Sequence, residues 1–545
     1  MLLAAFLATS LEGTVENSAP GRTGQVIDWS SRHVFYPQGA SLRAVMLAER
    51  DPRAYWNYLD LMRAVNDARI APRPRIGHPP RPVPLGQDWS VSLGAAGAAA
   101  HMYPAKFSFD VNATPDCTKD FVVFPINVAP SATQANIAAF NNLYTGAATT
   151  SCGALTSATV TWAYRAGARL RSSPILSLDG TKVAFVDGAN PAVFHVLKPT
   201  AGQGTVTAPV TPTTGGANPQ MINLPLTSGA DSDSSPFVDY ANDIAYVGTN
   251  NGNLFKITGV FRGTPALAGG AWPVAAGATT LSGPVIDFGT GNIFVGSANG
   301  NLYGFTAAGA AITGSPLTVG SGRADGGIVD PPVVDVVNGL IFVTSGEEPT
   351  RTNAVVAQAS TSTLATANVA PIGNNAAAQL HAGTFNDAYF NVATNTTGTT
   401  NEWFFYVCGA ALGTGTNPVL YRVGFNGTPR KMNTAANATT VTLSNNGGEQ
   451  CSPIAELKNG VDRIFLGLLT AAQVEYFDIS TTTTPTLGGT GAVAPVAEAG
   501  GTSGIIIDNV SAIAQASSIY FTTQANSANC GTHRCGVKLT QGGLQ

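Results

Sequence analysis

Residues 236–258 read PFVDYANDIAYVGTNNGNLFKIT and residues 284–306 read PVIDFGTGNIFVGSANGNLYGFT, identical at nine of 23 positions at an offset of 48. A third copy opens 48 residues further on as PVVDVVNGLIFVT, from Pro332. A short unit written at one period cannot bury its apolar face alone, so the copies must pack on one another. Each copy reads as a strand (PFVDY), a tight turn, a second strand (IAYVG), a loop (TNNGN) and a third strand (LFKIT). A looser fourth strand often carries Trp, as in GAWPVA around Trp272 or VTWAY around Trp162. Four antiparallel strands per repeat of this length predict a β-propeller blade.

First strands of such blades begin at KFSFD (106), SPILS (173), SPFVD (235), GPVID (283), PPVVD (331), HAGTF (381), SPIAE (452) and SGIII (503), which makes eight. The last repeat has SIYFT and CGVKLT but no fourth strand after them, whereas QDWSVSLG at 87–94 resembles the other fourth strands. Pairing 87–94 with the last blade would close the ring and remove its free edges. The expectation is therefore an all-β, about eight-bladed β-propeller of four-stranded antiparallel blades over residues 87–545, with a short helical N-terminal arm.

That arm differs in character. Residues 1–85 hold ten arginines and seven acids, about +3, in a chain of net charge −4. LRAVMLAER at 42–50 reads as one short helix. Asp51 as N-cap and Pro52 at the first helical position open a second, AYWNYLDLMRAV, with Tyr55, Leu59 and Met62 on one face. Residues 1–70 are thus read as an arm with two short helices. Residues 71–86, with prolines at 72, 74, 79, 80, 82 and 84, are read as a stiff linker. The apolar start, MLLAAFLATSLEG, reads as a signal-peptide remnant or as a segment that docks on something. No run of 18 apolar residues predicts a membrane helix.

Charged residues make up only 11% of the chain, against roughly 25% in an average soluble domain. Such a surface suits a secreted or cell-surface protein, and the negative net charge argues against nucleic acid as a partner. Six cysteines allow 15 pairings by spacing alone. On the blade assignment, Cys117 and Cys152 fall on one face of the first blade, and Cys408 and Cys451 on one face of neighbouring blades. Cys530 and Cys535 share one loop. Three disulfides, Cys117–Cys152, Cys408–Cys451 and Cys530–Cys535, then use every cysteine and predict an oxidising compartment.

The repeats resemble the PQQ-like and WD40-like β-propeller repeat proteins of bacteria, over roughly residues 87–545. GNLFKITG (252–259) and GNLYGFTAAG (300–309) are similar to the G-x-L-Y-A strand of the PQQ-like repeat, and SPILSLDGTKVAFV (173–186) to the SPDGKKIAFV form of the WD40-like repeat. The resemblance implies a fold and little about activity. It also departs from the quinone enzymes: there is no adjacent Cys-Cys pair, and the D-x-x-T-G-x-x-x-W tail is absent or degraded.

No catalytic, cofactor or metal site is assigned. Asp239, Asp287, Asp335 and Asp508 recur at the end of the first strand in four blades. They read as caps of the following turn rather than as a ring of cation ligands. His33, His78, His101, His195, His381 and His533 are isolated, with no zinc spacing among them, and there is no G-x-S-x-G elbow or P-loop. SLDGT (177–181) reads as an Asp-Gly turn, and DSDSSP (231–236) as a solvated turn, with a fragment of a structural calcium loop as the alternative. If a face binds a partner, the loops between second and third strands offer Glu347, Glu348 and Arg351, and the CGTHRC loop offers His533 and Arg534.

Three functions are compatible with these features. The first is a secreted or surface, non-catalytic propeller that binds protein or glycan. The second is a structural subunit whose arm docks on a neighbouring propeller, building a homo-oligomer or filament. The third is a carbohydrate-active enzyme on a propeller scaffold.

Overall fold

The computed structural model describes residues 24–37, 41–54 and 85–541, apart from short stretches within the last range, the longest being 488–495 and 510–516. The described residues form eight antiparallel sheets that follow one another along the chain. Their inner strands are Ala105–Ser108, Ile175–Leu176, Phe237–Asp239, Val285–Asp287, Val333–Asp335, Thr384–Phe385, Ala455–Asn459 and Ile506–Asn509. From each, the chain steps outward strand by strand, so the molecule is an eight-bladed β-propeller.

Local sequence explains the blade. In IAYVG (244–248) and NIFVG (292–296) every residue after the first is buried, because neighbouring blades cover both faces of a middle strand. The repeated Val-Gly has a steric cause. A Cβ on Gly248 would sit 2.6 Å from Leu281 Cβ, and one on Gly296 would sit 2.3 Å from Ile328 Cγ2. Glycine there admits the chain entering the next blade. That entering chain carries a latch: three residues before the inner strand, Ser234, Ser282 and Ser452 accept hydrogen bonds from the amides of Gly248, Gly296 and Gly467 at 2.9–3.1 Å. Ser503 takes the amide of Thr522 in the same way. In blades 5 and 6 the position holds Asp330 and His381, which bond each other at 2.9 Å.

The sheets depart from a strict four-stranded plan. In blades 3, 6 and 7 the outer edge is two short strands on one partner, such as Ala266–Leu267 and Val274–Ala275 on Asn253–Thr258. Blades 1 and 5 gain an extra strand on the inside, supplied by the N-terminal arm: β1 (Gln25–Ile27) and β2 (Val34–Phe35). A third N-terminal strand, β3 (Leu85–Ser92), is the outer strand of blade 8 and pairs antiparallel with Cys535–Gln541. β3 starts two residues before the boundary drawn for the linker. In the arm, α1 (Leu42–Ala48) is capped by Ser41. Residues 52–54 are also helical; Tyr55, Leu59, Met62, the apolar start and most of the Pro-rich linker lie outside the described residues.

Three disulfides join Cys117 to Cys152, Cys408 to Cys451 and Cys530 to Cys535. The first staples two loops on one face of blade 1, the second ties blade 6 to blade 7, and the third closes a loop of blade 8. No helix among the described residues is long and apolar enough to cross a membrane.

Candidate functional site

The axial channel is the one deep concavity that a ring of blades creates, and here the chain's own arm sits in it. β1 runs antiparallel to the inner strand of blade 1, with Ile27 opposite Lys106. A 3-10 turn (Trp29–Arg32), capped by the Asp28 carboxylate, reverses the chain. β2 then returns parallel to the inner strand of blade 5, with Phe35 opposite Asp335. The two strands therefore lie against blades on opposite sides of the ring.

Side chains fix the arm to further blades. The fully buried Trp29 donates its indole N–H to Pro236 O of blade 3 at 3.0 Å. Arg50 donates to Phe288 O of blade 4 at 2.9 Å, and Arg32 to Glu456 O of blade 7 at 2.8 Å. Phe35 meets Phe385 of blade 6 edge-on at 5.8 Å. Arg53 closes the arm on itself, reaching Asp28 at 3.1 Å and lying 4.9 Å from the Tyr240 ring centre. His33, buried beside Trp29 and Tyr103, is pushed by burial down to about 4 despite the attraction of Asp330.

A cavity of about 520 Å³ remains between the arm and the inner strands of blades 7 and 8. Arg32, Tyr36, Arg53, Asp387, Glu456 and Lys458 are among its walls. Its charges compensate one another: Lys458 meets Asp387 at 2.5 Å, and the Asp387 amide donates to Asp462 at 2.8 Å. Burial first, and then Asp462, raises the Glu456 carboxyl well above its ordinary range; burial also raises Asp462 to about 6. Glu456 in the cavity wall and Asp462 beside it form a carboxyl pair suited to sharing a proton.

The residues expected to form a binding face are scattered. Glu347 is buried, not presented. It accepts hydrogen bonds from Ser321 and from Asn375 (3.2 Å) and lies 3.6 Å from Arg323, so it ties loops together. Those bonds hold its carboxyl below the usual range in spite of burial. Glu348 accepts from Thr352 and Asn353 of its own loop, and Arg351 is exposed at a left-handed turn position (φ 64°). His533 is exposed and meets Ser92 Oγ at 3.2 Å, while Arg534 is half-buried. The first three belong to blade 5 and the last two to blade 8.

Asp239, Asp287 and Asp335 cap their turns through the amides of Asn242, Gly289 and Asn338. Asp508, whose following turn lies outside the described residues, meets Lys106 at 2.8 Å, both side chains fully buried. Asp231 and Asp233 of DSDSSP engage Arg171 at 2.9 and 3.4 Å. His195 bridges Asp187 and Asn223, and His101 contacts Arg171 O; His78 lies outside the described residues.

Sequence reasoning missed the polar cluster at the seam of blades 8 and 1. It contains Lys106, Asp508, Asp120, Tyr144, Lys538 and Asp88, with Lys538 Nζ 2.7 Å from Asp88. A signal existed: AKFS and GVKLT each place one lysine in an otherwise apolar strand.

No protein-family profile and no curated protein matches the chain. Among solved structures it is similar to BamB from Moraxella catarrhalis (13% identity, 84% of this chain, 100% of that one, TM-score 0.42). It is also similar to Sqt1 from Chaetomium thermophilum (10%, 84% and 98%, TM-score 0.44) and to the computationally designed Ika8 protein (9%, 84% and 99%, TM-score 0.47). Likenesses at these identities concern the fold alone, and the chain's own eight sheets make it a β-propeller.

Proposed function

We propose that this protein is a non-catalytic binding scaffold of an oxidising, extracytoplasmic compartment, engaging protein or glycan through its loop faces. The observation that carries the reading is the arm. Residues 24–37 and 41–54 contact the inner strands or turns of blades 1, 3, 4, 5, 6 and 7, so the chain itself runs through the concavity where a substrate would be enclosed. Recognition then falls to the faces, where three disulfides hold loops in place and favour an oxidising location. The resemblance of the repeats to PQQ-like and WD40-like propellers is in keeping with a scaffold role. Assembly through the arm would require it to leave its own ring for a neighbour's.

One observation favours a second reading, a carbohydrate-active enzyme: Glu456 in the wall of the residual cavity, with Asp462 beside it. Wild-type protein and Glu456→Gln are compared on a polysaccharide and aryl-glycoside panel and on a glycan array. A scaffold gives no turnover with either protein and the same array pattern with both. Turnover by the wild type that Glu456→Gln abolishes overturns the scaffold reading.

A further inference from the structure

The seam between blades 8 and 1 holds a buried amine and a buried carboxyl in direct contact. Lys106 leaves the inner strand of blade 1 and Asp508 the inner strand of blade 8, and their Nζ and Oδ2 lie 2.8 Å apart with both side chains at 0% exposure. The Lys106 amine also touches Ser108 Oγ at 2.6 Å and Tyr144 OH at 3.2 Å. Tyr144 donates onward to Asp120 Oδ2 at 2.7 Å. The geometry points to a covalent lock: an intramolecular isopeptide bond between Lys106 and Asp508 that closes the propeller ring.

Two lysines and three carboxyls share this dry site, counting Lys538 and Asp88. A buried ion pair repays its desolvation poorly, and the neutral amine and neutral acid are the forms that low polarity favours. Within the pair one proton passes from Nζ to Asp508. The amine lone pair then attacks Cγ. The surplus proton on nitrogen travels through Tyr144 to the Asp120 carboxylate and returns to the hydroxyl on Cγ, which departs as water. One Nζ–Cγ bond forms, one Cγ–O bond breaks, and Asp120 ends as it began. Burial, against the pull of Lys106, holds the Asp120 carboxyl above its ordinary range, which suits a group that takes and returns a proton. Water exclusion suppresses hydrolysis of the product. Lys538 pairs with Asp88 at 2.7 Å, and Asp88 also accepts from Thr540.

The test is peptide mapping of the purified full-length protein by mass spectrometry after reduction and alkylation. The expected result is a branched species joining the Lys106 and Asp508 peptides, one water lighter than their sum, with no tryptic cleavage after Lys106. Linear peptides at full mass, or a branch at Lys538–Asp88 instead, overturn the assignment. Asp120→Ala leaves both partners in place and should lower the branched fraction more than tenfold in protein whose circular dichroism is unchanged. Tyr144→Phe serves the same purpose if that variant does not fold. An undiminished branch in the folded variant overturns the proton relay.

Discussion

Two tryptophans in N-terminal segments make the same bond in different settings. Trp29 of the arm donates to Pro236 O and Trp89 of β3 donates to Leu143 O, both at 3.0 Å and both buried. Around Trp89 lies an eight-residue strand that completes blade 8. Around Trp29 lie strands of three and two residues, added to inner edges that blades 1 and 5 already possess as complete sheets. Removing β3 should therefore reopen the ring, whereas removing the arm should leave all eight sheets with their own strands. Closure is a property of the fold; the plug is a property laid on top of it.

That contrast can be broken at graded cost. The largest effect is expected from truncation through residue 92, which leaves blade 8 with three strands. The product should lose cooperative unfolding in a thermal circular dichroism scan, and a truncation that melts like the intact protein would refute the role given to β3. Next, Trp89→Ala should destabilise the whole ring by about 4 kcal/mol, the usual cost of emptying a buried tryptophan site, read from the urea midpoint.

Acid should act on the arm instead. His33 is held neutral, its folded-state value of about 4 lying below the ordinary 6.5. Its contribution to docking is therefore complete above pH 6.5 and is lost as the pH falls through 4. At about 1.4 kcal/mol per unit the loss reaches roughly 3 kcal/mol. Hydrogen exchange of arm amides, corrected for intrinsic rates, should accelerate between pH 6.5 and 4 while the amides of blades 3 and 4 stay protected. His33→Leu should flatten the response. Last, Lys458→Ala at the cavity rim removes an ion pair whose lysine is 47% exposed, and should change stability by no more than about 0.5 kcal/mol.

Much of the ring was legible because its determinants are local. Alternating apolar residues, Asp at the end of an inner strand and Val-Gly at the end of the next recur within a single repeat, so one blade teaches the others. The cysteine pairs followed from the blade assignment, since each pair falls on one face. The incomplete last repeat left room for one more strand, and β3 occupies it.

The candidate site was far less legible. Glu347 and Glu348 are adjacent in sequence and equally polar, yet only Glu347 turns inward, because Ser321 and Asn375 from other loops meet it there. Asp508 occupies the same repeat position as Asp239 but has Lys106 across the seam, a partner 402 residues away.

What the sequence determined by itself is the blade: its strands, its turns, its number of copies and the pairing of its cysteines, all written in periods shorter than one repeat. What only the tertiary structure decided is where the arm goes and which charges meet at the seam. β1 and β2 are too short to announce themselves as strands. They exist because inner-strand amides and carbonyls of blades 1 and 5 stand unpaired along the channel, and a backbone laid beside them satisfies both.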